Sequence, residues 1–256
     1  MGKGNRLRIA LLAVGAVVAL LPHPGTATAM PLDESQGSSG PLVPCSDPRG
    51  CPDLSVDPTT MEPSVHTKSF KPQDCQVQEG TTQAGTRKLL RFTYTTPNLG
   101  DGDLIVGRPE DHLEWFEFGE CHGHYHFKEY ADYRLWTPAQ FQTYKAAREA
   151  NPDALVADIL AQNPGLTPVL GEKRGFCVID IWPYVQKPGP PKYLVCDFQG
   201  VSVGWADEYY SDLDSQYIDV TGVPSGTYVL EAEVNAEHFF EESDYRNNWT
   251  YVTVSI

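Results

Sequence analysis

Punctuation constrains this chain more than any single motif does. Apolar and alternating runs are short, and glycine, proline, asparagine or aspartate interrupts them again and again; 256 residues include 22 glycines and 21 prolines. The runs at 88–94, 103–106, 124–135, 175–184, 192–198, 216–220, 227–234 and 249–256 read as strands joined by turns. Spacing of this kind predicts a mainly β protein with an antiparallel β-sandwich core and long loops. One stretch departs from it. Thr137 before Pro138 is a helix start, residues 139–150 are rich in helix formers, and Asn151-Pro152 closes them. Residues 153–162 predict a second short helix, ended by Asn163-Pro164-Gly165. The expectation is a short inserted helical segment lying as a flap over one end of the sandwich.

The first 29 residues carry the marks of a signal peptide. Lys3, Arg6 and Arg8 precede an apolar run at 9–21, and Ala27-Thr28-Ala29 offers a cleavage site. The apolar run is short for a membrane span, so no stable span is expected once it is cleaved. Residues 30–50 read as a flexible leader rich in Ser, Gly, Pro and acidic groups, which leaves 51–256 as one folded domain. Formal net charge is −15, and it falls to −18 when the three basic groups of the first 29 residues are removed. Acidity of this extent argues against a nucleic-acid partner and favours cationic ligands. Cys45, Cys51, Cys75, Cys121, Cys177 and Cys196 form an even set in an exported chain, so three disulfides in a secreted, extracellular protein are expected. There is no Cys-x-x-Cys, which disfavours a thiolate zinc site.

Residues 121–126 read Cys-His-Gly-His-Tyr-His. Side chains alternate along a strand, so His122, His124 and His126 are expected on one face. At ~3.3 Å per residue the outer pair would stand roughly 13 Å apart, and bending at Gly123 would be needed to bring both to one ion. Three imidazoles leave coordination positions open, as in a catalytic site, and they suit Zn, Cu, Fe or Ni.

Three further motifs follow in order: Gly-Glu-Lys-Arg-Gly-Phe-Cys at 171–177, Asp-Glu-Tyr-Tyr-Ser-Asp-Leu-Asp-Ser-Gln-Tyr-Ile-Asp at 207–219, and Glu-Ser-Asp-Tyr-Arg-Asn-Asn at 242–248. Taken alone, Lys173 is a solvated charge and 204–214 an acidic loop. Together with the histidines, these segments resemble the catalytic domain of the lysyl oxidase family, from about Pro52 to the C-terminus.

The resemblance implies a secreted copper amine oxidase. His122, His124 and His126 would hold copper. Lys173 and Tyr209 would be joined into the self-derived quinone cofactor, lysine tyrosylquinone, with Tyr210 left out of it. The substrates implied are a primary amine, whether a lysine-containing protein or a small amine, and dioxygen; the products are an aldehyde, hydrogen peroxide and ammonia. Asp207 is the expected catalytic base, with Asp212 and Asp214 as competitors. Glu242, Asp244, Asn247 and Asn248, with Asp53 and the Leu54 carbonyl, would make a calcium site. That loop also contains the glycosylation acceptor pattern Asn248-Trp249-Thr250. The implied pairings are Cys75 with Cys121 and Cys177 with Cys196, the latter clipping neighbouring strands, and Cys45 with Cys51 closes a local loop. The chain departs from the family at Trp205 and Ser215, where cysteines often stand, and in its helical insertion, which puts the pocket entrance and a collagen or elastin substrate in doubt. The alternatives are an exported copper- or zinc-binding β-sandwich module without catalysis, and a three-histidine zinc hydrolase.

Overall fold

Every pair of named strands runs antiparallel, as short segments joined by tight turns require. A computed structural model describes residues 42–256; the expected signal peptide and residues 30–41 of the expected leader lie outside the described residues. In chain order the strands are β1 (Ser64–Phe70), β2 (Gly85–Arg91), β3 (Tyr94–Pro97), β4 (Leu104–Gly107), β5 (Phe116–Gly119), β6 (His124–Phe127), β7 (Ala131–Trp136), β8 (Val169–Leu170), β9 (Trp182–Pro183), β10 (Gln199–Val201), β11 (Trp205–Tyr209), β12 (Tyr217–Asp219), β13 (Thr227–Val234) and β14 (Trp249–Ser255). The helices are α1 (Cys75–Gln78), α2 (Pro138–Ala150) and α3 (Val156–Gln162). The largest sheet has the order β14-β13-β7-β8, and β1-β2-β12 and β3-β11-β9 form two more. The pairs β5-β6 and β4-β10 complete the set.

Period two in β7 and β13 explains how the layers stack. Ala131, Tyr133 and Leu135 face the core with Leu230, Ala232 and Val234, where the Tyr133 ring meets Phe92 and Tyr94 edge-on at 4.8 and 5.1 Å. The intervening Arg134, Trp136, Glu231 and Glu233 share the opposite face, and α2 covers them. The inserted helices therefore form a third layer on the outer face of the largest sheet, where sequence reasoning expected a flap over its end. Thr137 accepts a hydrogen bond from Gln140 N, and Phe141, Tyr144, Val156 and Ile159 pack as a satellite core against Trp136 and Val229.

Charges buried in that layer are paired. Arg134 Nη1 donates to Glu233 Oε2 (2.8 Å) and Glu231 Oε1 (3.3 Å), and Arg148 from α2 donates to both oxygens of Glu233. Trp136 Nε1 and Tyr144 Oη donate to Glu231 at 2.6 and 2.7 Å.

Two expected strands are absent. Residues 175–184 contain only the two-residue β9 and an isolated bridge from Phe176 to Phe127, and residues 192–198 only an isolated bridge between Val195 and Phe198. The Cys177–Cys196 disulfide accordingly clips loops, not strands. The folded unit also reaches back to Leu42. The backbone amides of Leu42 and Val43 donate to the Phe239 carbonyl, Val43 is buried, and Arg49 pairs with buried Asp103 at 2.6 Å, so residues 42–50 are not a free leader.

Replacing Arg148 with Met should leave Glu233 short of a partner in a buried site and cost about 3 kcal/mol, the typical penalty for breaking a buried ion pair from one side. Urea unfolding of wild type and variant measures it. Metal binding should not change, because no residue of α2 or α3 lines the histidine cavity.

Candidate active site

The histidine motif begins in a turn and ends in a strand. Within the β5-β6 hairpin, Phe116 pairs with Phe127 and Gly119 with His124. His124 and His126 share one face of β6, but His122 stands in the turn, so the three do not lie along one strand as expected. Gly123, in the left-handed region at φ +69°, folds the chain back on itself. This turn closes the gap that an extended strand would leave, and the three ring centroids lie 5.8, 5.3 and 4.8 Å apart. Gly119 makes room beneath them: a Cβ there would stand 3.0 Å from His126 Cε1 and 3.4 Å from His122 Cδ2.

The donor set suits a transition metal. Burial first, then the nearby Lys173 and the other two histidines, lowers the His126 pKa to about 3, and burial lowers that of His124 as well. Both rings are therefore neutral at physiological pH, the form that binds metal. His124 Nε2 and His126 Nε2 are 3.1 Å apart, whereas His122 Nε2 leans toward Glu79 Oε2 at 3.3 Å. Among the described residues, the trio of potential ligand atoms drawn within 4.8 Å of one another is Cys45, Cys51 and Glu241, where a disulfide already occupies both sulfurs. The histidine trio is more open than that.

Lys173 and Tyr209 arrive at the same cavity from different segments. About 300 Å³ in volume, it is lined by the three histidines, Lys173, Phe176 and Tyr209, with Asp214 and Gln216 at its side. Phe176 adjoins both: Lys173 Nζ is 4.9 Å from its ring centroid, and the Tyr209 ring centroid is 4.3 Å from it. Burial lowers the Lys173 pKa, and the carboxylates Glu79, Glu117 and Asp214 pull it only partly back. A neutral amine, the nucleophilic form, is thereby favoured.

β11 delivers the tyrosine. Residues 205–209 pair with β3, placing Tyr209 opposite Tyr94 and Asp207 opposite Thr96. Asp207 and Tyr209 are two apart and share the inward face, whereas Tyr210 is half exposed beyond the strand end. Tyr209 Oη lies 2.6 Å from the Cys177 carbonyl and 2.8 Å from Asp207 Oδ2. One phenol proton cannot serve both acceptors. Burial holds the Asp207 carboxyl well above the ordinary carboxylate range despite the Tyr209 hydrogen bond, which favours the protonated carboxyl, the form that can donate to Tyr209 and leave the phenol proton to the Cys177 carbonyl. Asp207 Oδ1 is left buried without a hydrogen-bond partner. Asp207 adjoins the cavity through Tyr209 without lining it; of its competitors, Asp214 lines the cavity from an exposed position, and Asp212 does not.

The expected calcium ligands come together except for one. Glu242 is buried, accepting from Leu54 N (2.6 Å), Asn235 Nδ2 and Asn248 Nδ2 (both 2.7 Å), and burial raises its pKa to about 8. Asn247 Nδ2 donates to Asp53 Oδ1 at 2.9 Å. The side-chain oxygens of Asn247 and Asn248 are buried without partners. Two orphaned carbonyl oxygens beside a buried carboxylate are what a hard cation would satisfy. Asp244 is instead turned outward onto Arg246. Because Asn248 is 1 % exposed with its nitrogen engaged, it is not placed to accept a glycan.

The cysteines pair as Cys45–Cys51, Cys75–Cys121 and Cys177–Cys196. Where cysteines were expected, Trp205 Nε1 donates to the Gly189 carbonyl and Ser215 Oγ shares a hydrogen bond with Thr81. Sequence reasoning missed Phe176 and Glu79. Phe176 carries no signal beyond apolarity. Glu79 would have been findable by following the Cys75–Cys121 pairing to the residues beside each cysteine.

The lysyl oxidase family model matches residues 55–150 and 154–256. Protein-lysine 6-oxidase of Homo sapiens is 30% identical over 214 residues, 78% of this chain and 44% of that protein. Lysyl oxidase homolog 1 of Homo sapiens is 30% identical over 78% of this chain and 32% of its own length. Protein-lysine 6-oxidase of Sus scrofa is also 30% identical, over 78% of this chain and 74% of that protein. The chain thus spans less than half the length of the two human relatives. With the matched segments covering nearly all of residues 55–256, and the histidine hairpin, Lys173 and Tyr209 inside them, the chain belongs to the lysyl oxidase family.

Proposed function

We propose that this chain is a secreted amine oxidase that converts the primary amine of a lysine side chain or of a small molecule to an aldehyde. The balanced reaction consumes one dioxygen and one water and releases ammonia and hydrogen peroxide. The observation that carries this reading is the single cavity onto which three imidazoles, a partly buried lysine of lowered pKa and a partly buried tyrosine all open. When bound, copper held by His122, His124 and His126, with the quinone built from Lys173 and Tyr209, would supply the electron sink that no unmodified side chain provides.

The chain's own residues do the rest. Burial lowers the Lys173 pKa and so favours the unprotonated, nucleophilic amine. Phe176 gives its side chain an apolar surface leading toward Tyr209. The Cys177 carbonyl and Asp207 fix the phenol oxygen from two sides. Asp207 is within reach to hold or take a proton at that oxygen, and burial raises its pKa above that of a free carboxyl, as a proton-transfer group requires. Glu79, Glu117, Glu120 and Glu172 line an adjoining groove of about 480 Å³ that also touches His126 and Lys173, an approach favouring a cationic amine. Three disulfides suit an oxidising compartment, and no described helix is long and apolar enough to cross a membrane. Calcium at Asp53, Leu54, Glu242, Asn247 and Asn248 would tie the start of the domain to its end, with Asp244 joining only after releasing Arg246.

Copper-loaded wild type should develop visible quinone absorbance, react with phenylhydrazine and release peroxide with an amine. Mass spectrometry should find the peptides containing Lys173 and Tyr209 cross-linked, and Lys173→Ala and Tyr209→Phe should each abolish both signals. Stoichiometric copper without cross-link or absorbance would instead make the protein a metal-sequestering module.

Asp207→Asn preserves the shape of the side chain and removes its acid–base chemistry. Amine turnover should fall by roughly 100-fold or more, the usual worth of such a group. Steady-state peroxide assays measure the loss.

Calcium should raise the melting temperature of wild type, and chelation should reverse the gain. Asn248→Ala should lose that shift in differential scanning calorimetry while retaining its disulfides.

A further inference from the structure

Glu79 belongs to none of the motifs above, yet among the described residues its carboxylate is the one within hydrogen-bond distance of the histidine cluster. Its Oε2 lies 3.3 Å from His122 Nε2, and the two side chains are 23 % and 22 % exposed. The surrounding structure holds it there. Glu79 ends α1, its backbone N–H donating to the Cys75 carbonyl at 2.8 Å, and the Cys75–Cys121 disulfide fastens that turn to the residue before His122.

Hydrogen-bond chemistry then assigns protons. A carboxylate only accepts, so in the neutral ring His122 carries its proton on Nε2 and keeps a lone pair on Nδ1. His124 is the reverse case: its Nδ1 lies 3.1 Å from the His122 carbonyl, which also only accepts, so the proton sits on Nδ1 and the lone pair on Nε2. The two rings thus offer different nitrogens.

We propose, on the reading of the three histidines as metal ligands, that Glu79 is a positioning residue that selects the His122 tautomer and makes Nδ1 its ligand atom, while His124 binds through Nε2. An exposed ion pair contributes little stability, but orientation is a different matter. Carboxylates that hold a ligating imidazole through its other nitrogen are worth 10–100-fold in metal affinity. The disulfide lowers the entropic cost of keeping this one in place.

The test begins with the metal-free protein. Nitrogen-15 NMR of the imidazole rings should find His122 protonated on Nε2 and His124 on Nδ1. Copper(II) affinity, by competition with a chromophoric chelator, should fall 10–100-fold in Glu79→Ala and only a few-fold in Glu79→Gln, whose side-chain oxygen still accepts. His122→Ala serves as the control. Lost affinity in His122→Ala with wild-type affinity in Glu79→Ala overturns the role of Glu79 and leaves the ligand assignment standing, as does a His122 ring protonated on Nδ1. Wild-type affinity in His122→Ala overturns the ligand assignment itself. Should Glu79→Ala fail to fold, the NMR assignment on wild type and the Glu79→Gln titration still decide the question.

Discussion

One antiparallel bridge holds the candidate site together. Phe127 and Phe176 exchange hydrogen bonds of 2.7 and 3.0 Å, joining the strand that carries His124 and His126 to the loop that carries Lys173 and Cys177. Two residues upstream of that bridge, the Arg174 carbonyl accepts from the backbone amides of Tyr130 and Ala131, and the Arg174 side chain pairs with Asp132 and Glu129. Lys173 therefore projects from a backbone locked on its C-terminal side, although the loop has no regular structure. Buried Gln199 repeats the device one step further along. It accepts from Val178 N and donates to the carbonyls of Tyr125 and Cys196, so the histidine strand, the Cys177 loop and its disulfide partner share one side chain. Side chains here replace the ladder that a continuous strand would have supplied.

That substitution explains which parts of the fold were legible in the sequence. β13 and β14 were found almost to the residue, because their alternation is regular and their partners are strands. α2 was found through its Thr137-Pro138 start and its Asn151 stop. Residues 175–184 and 192–198 have the composition of strands but form loops, since their backbone groups bond to several separate segments and in part to side chains, Val178 N to Gln199 and Lys192 N and Tyr193 N to the buried Asp180. Periodicity cannot detect a partner that is a side chain far along the chain. β11 was hidden for the opposite reason. Its inward face carries Asp207 and Tyr209, where a pattern reader looks for aliphatic residues, so a core strand passed for an acidic loop.

The site divides along the same line. Three alternating histidines were visible as a metal-binding pattern, but their convergence depends on the left-handed turn at Gly123 and the bare Cα of Gly119, neither of which the alternation alone specifies. Lys173 and Tyr209 were named through resemblance, because each taken singly is unremarkable. Only the folded chain brings out Phe176 in contact with both and Glu79 beside His122.

Burial is the physical agent common to the cavity's reactive groups. Lys173 is surrounded by carboxylates that would raise its pKa, yet desolvation outweighs them and the shift is downward. Asp207 is hydrogen-bonded to Tyr209, a contact that would lower its pKa, yet desolvation outweighs that too and the shift is upward. An amine and a carboxyl that would be oppositely charged in water are thus both shifted toward their neutral forms within one small region. The largest sheet's outer layer makes the opposite choice. Arg134, Arg148, Glu231 and Glu233 are as deeply buried, but each finds a counter-charge within hydrogen-bond distance. Pairing gives the helical layer its fixed seat on the sheet. The cavity withholds such pairing, leaving Asp207 Oδ1 without a partner and the Lys173 amine beside an aromatic ring. Groups kept short of partners in this way retain their reactivity, and in this fold the shortage is confined to the place where Lys173 and Tyr209 face the histidines.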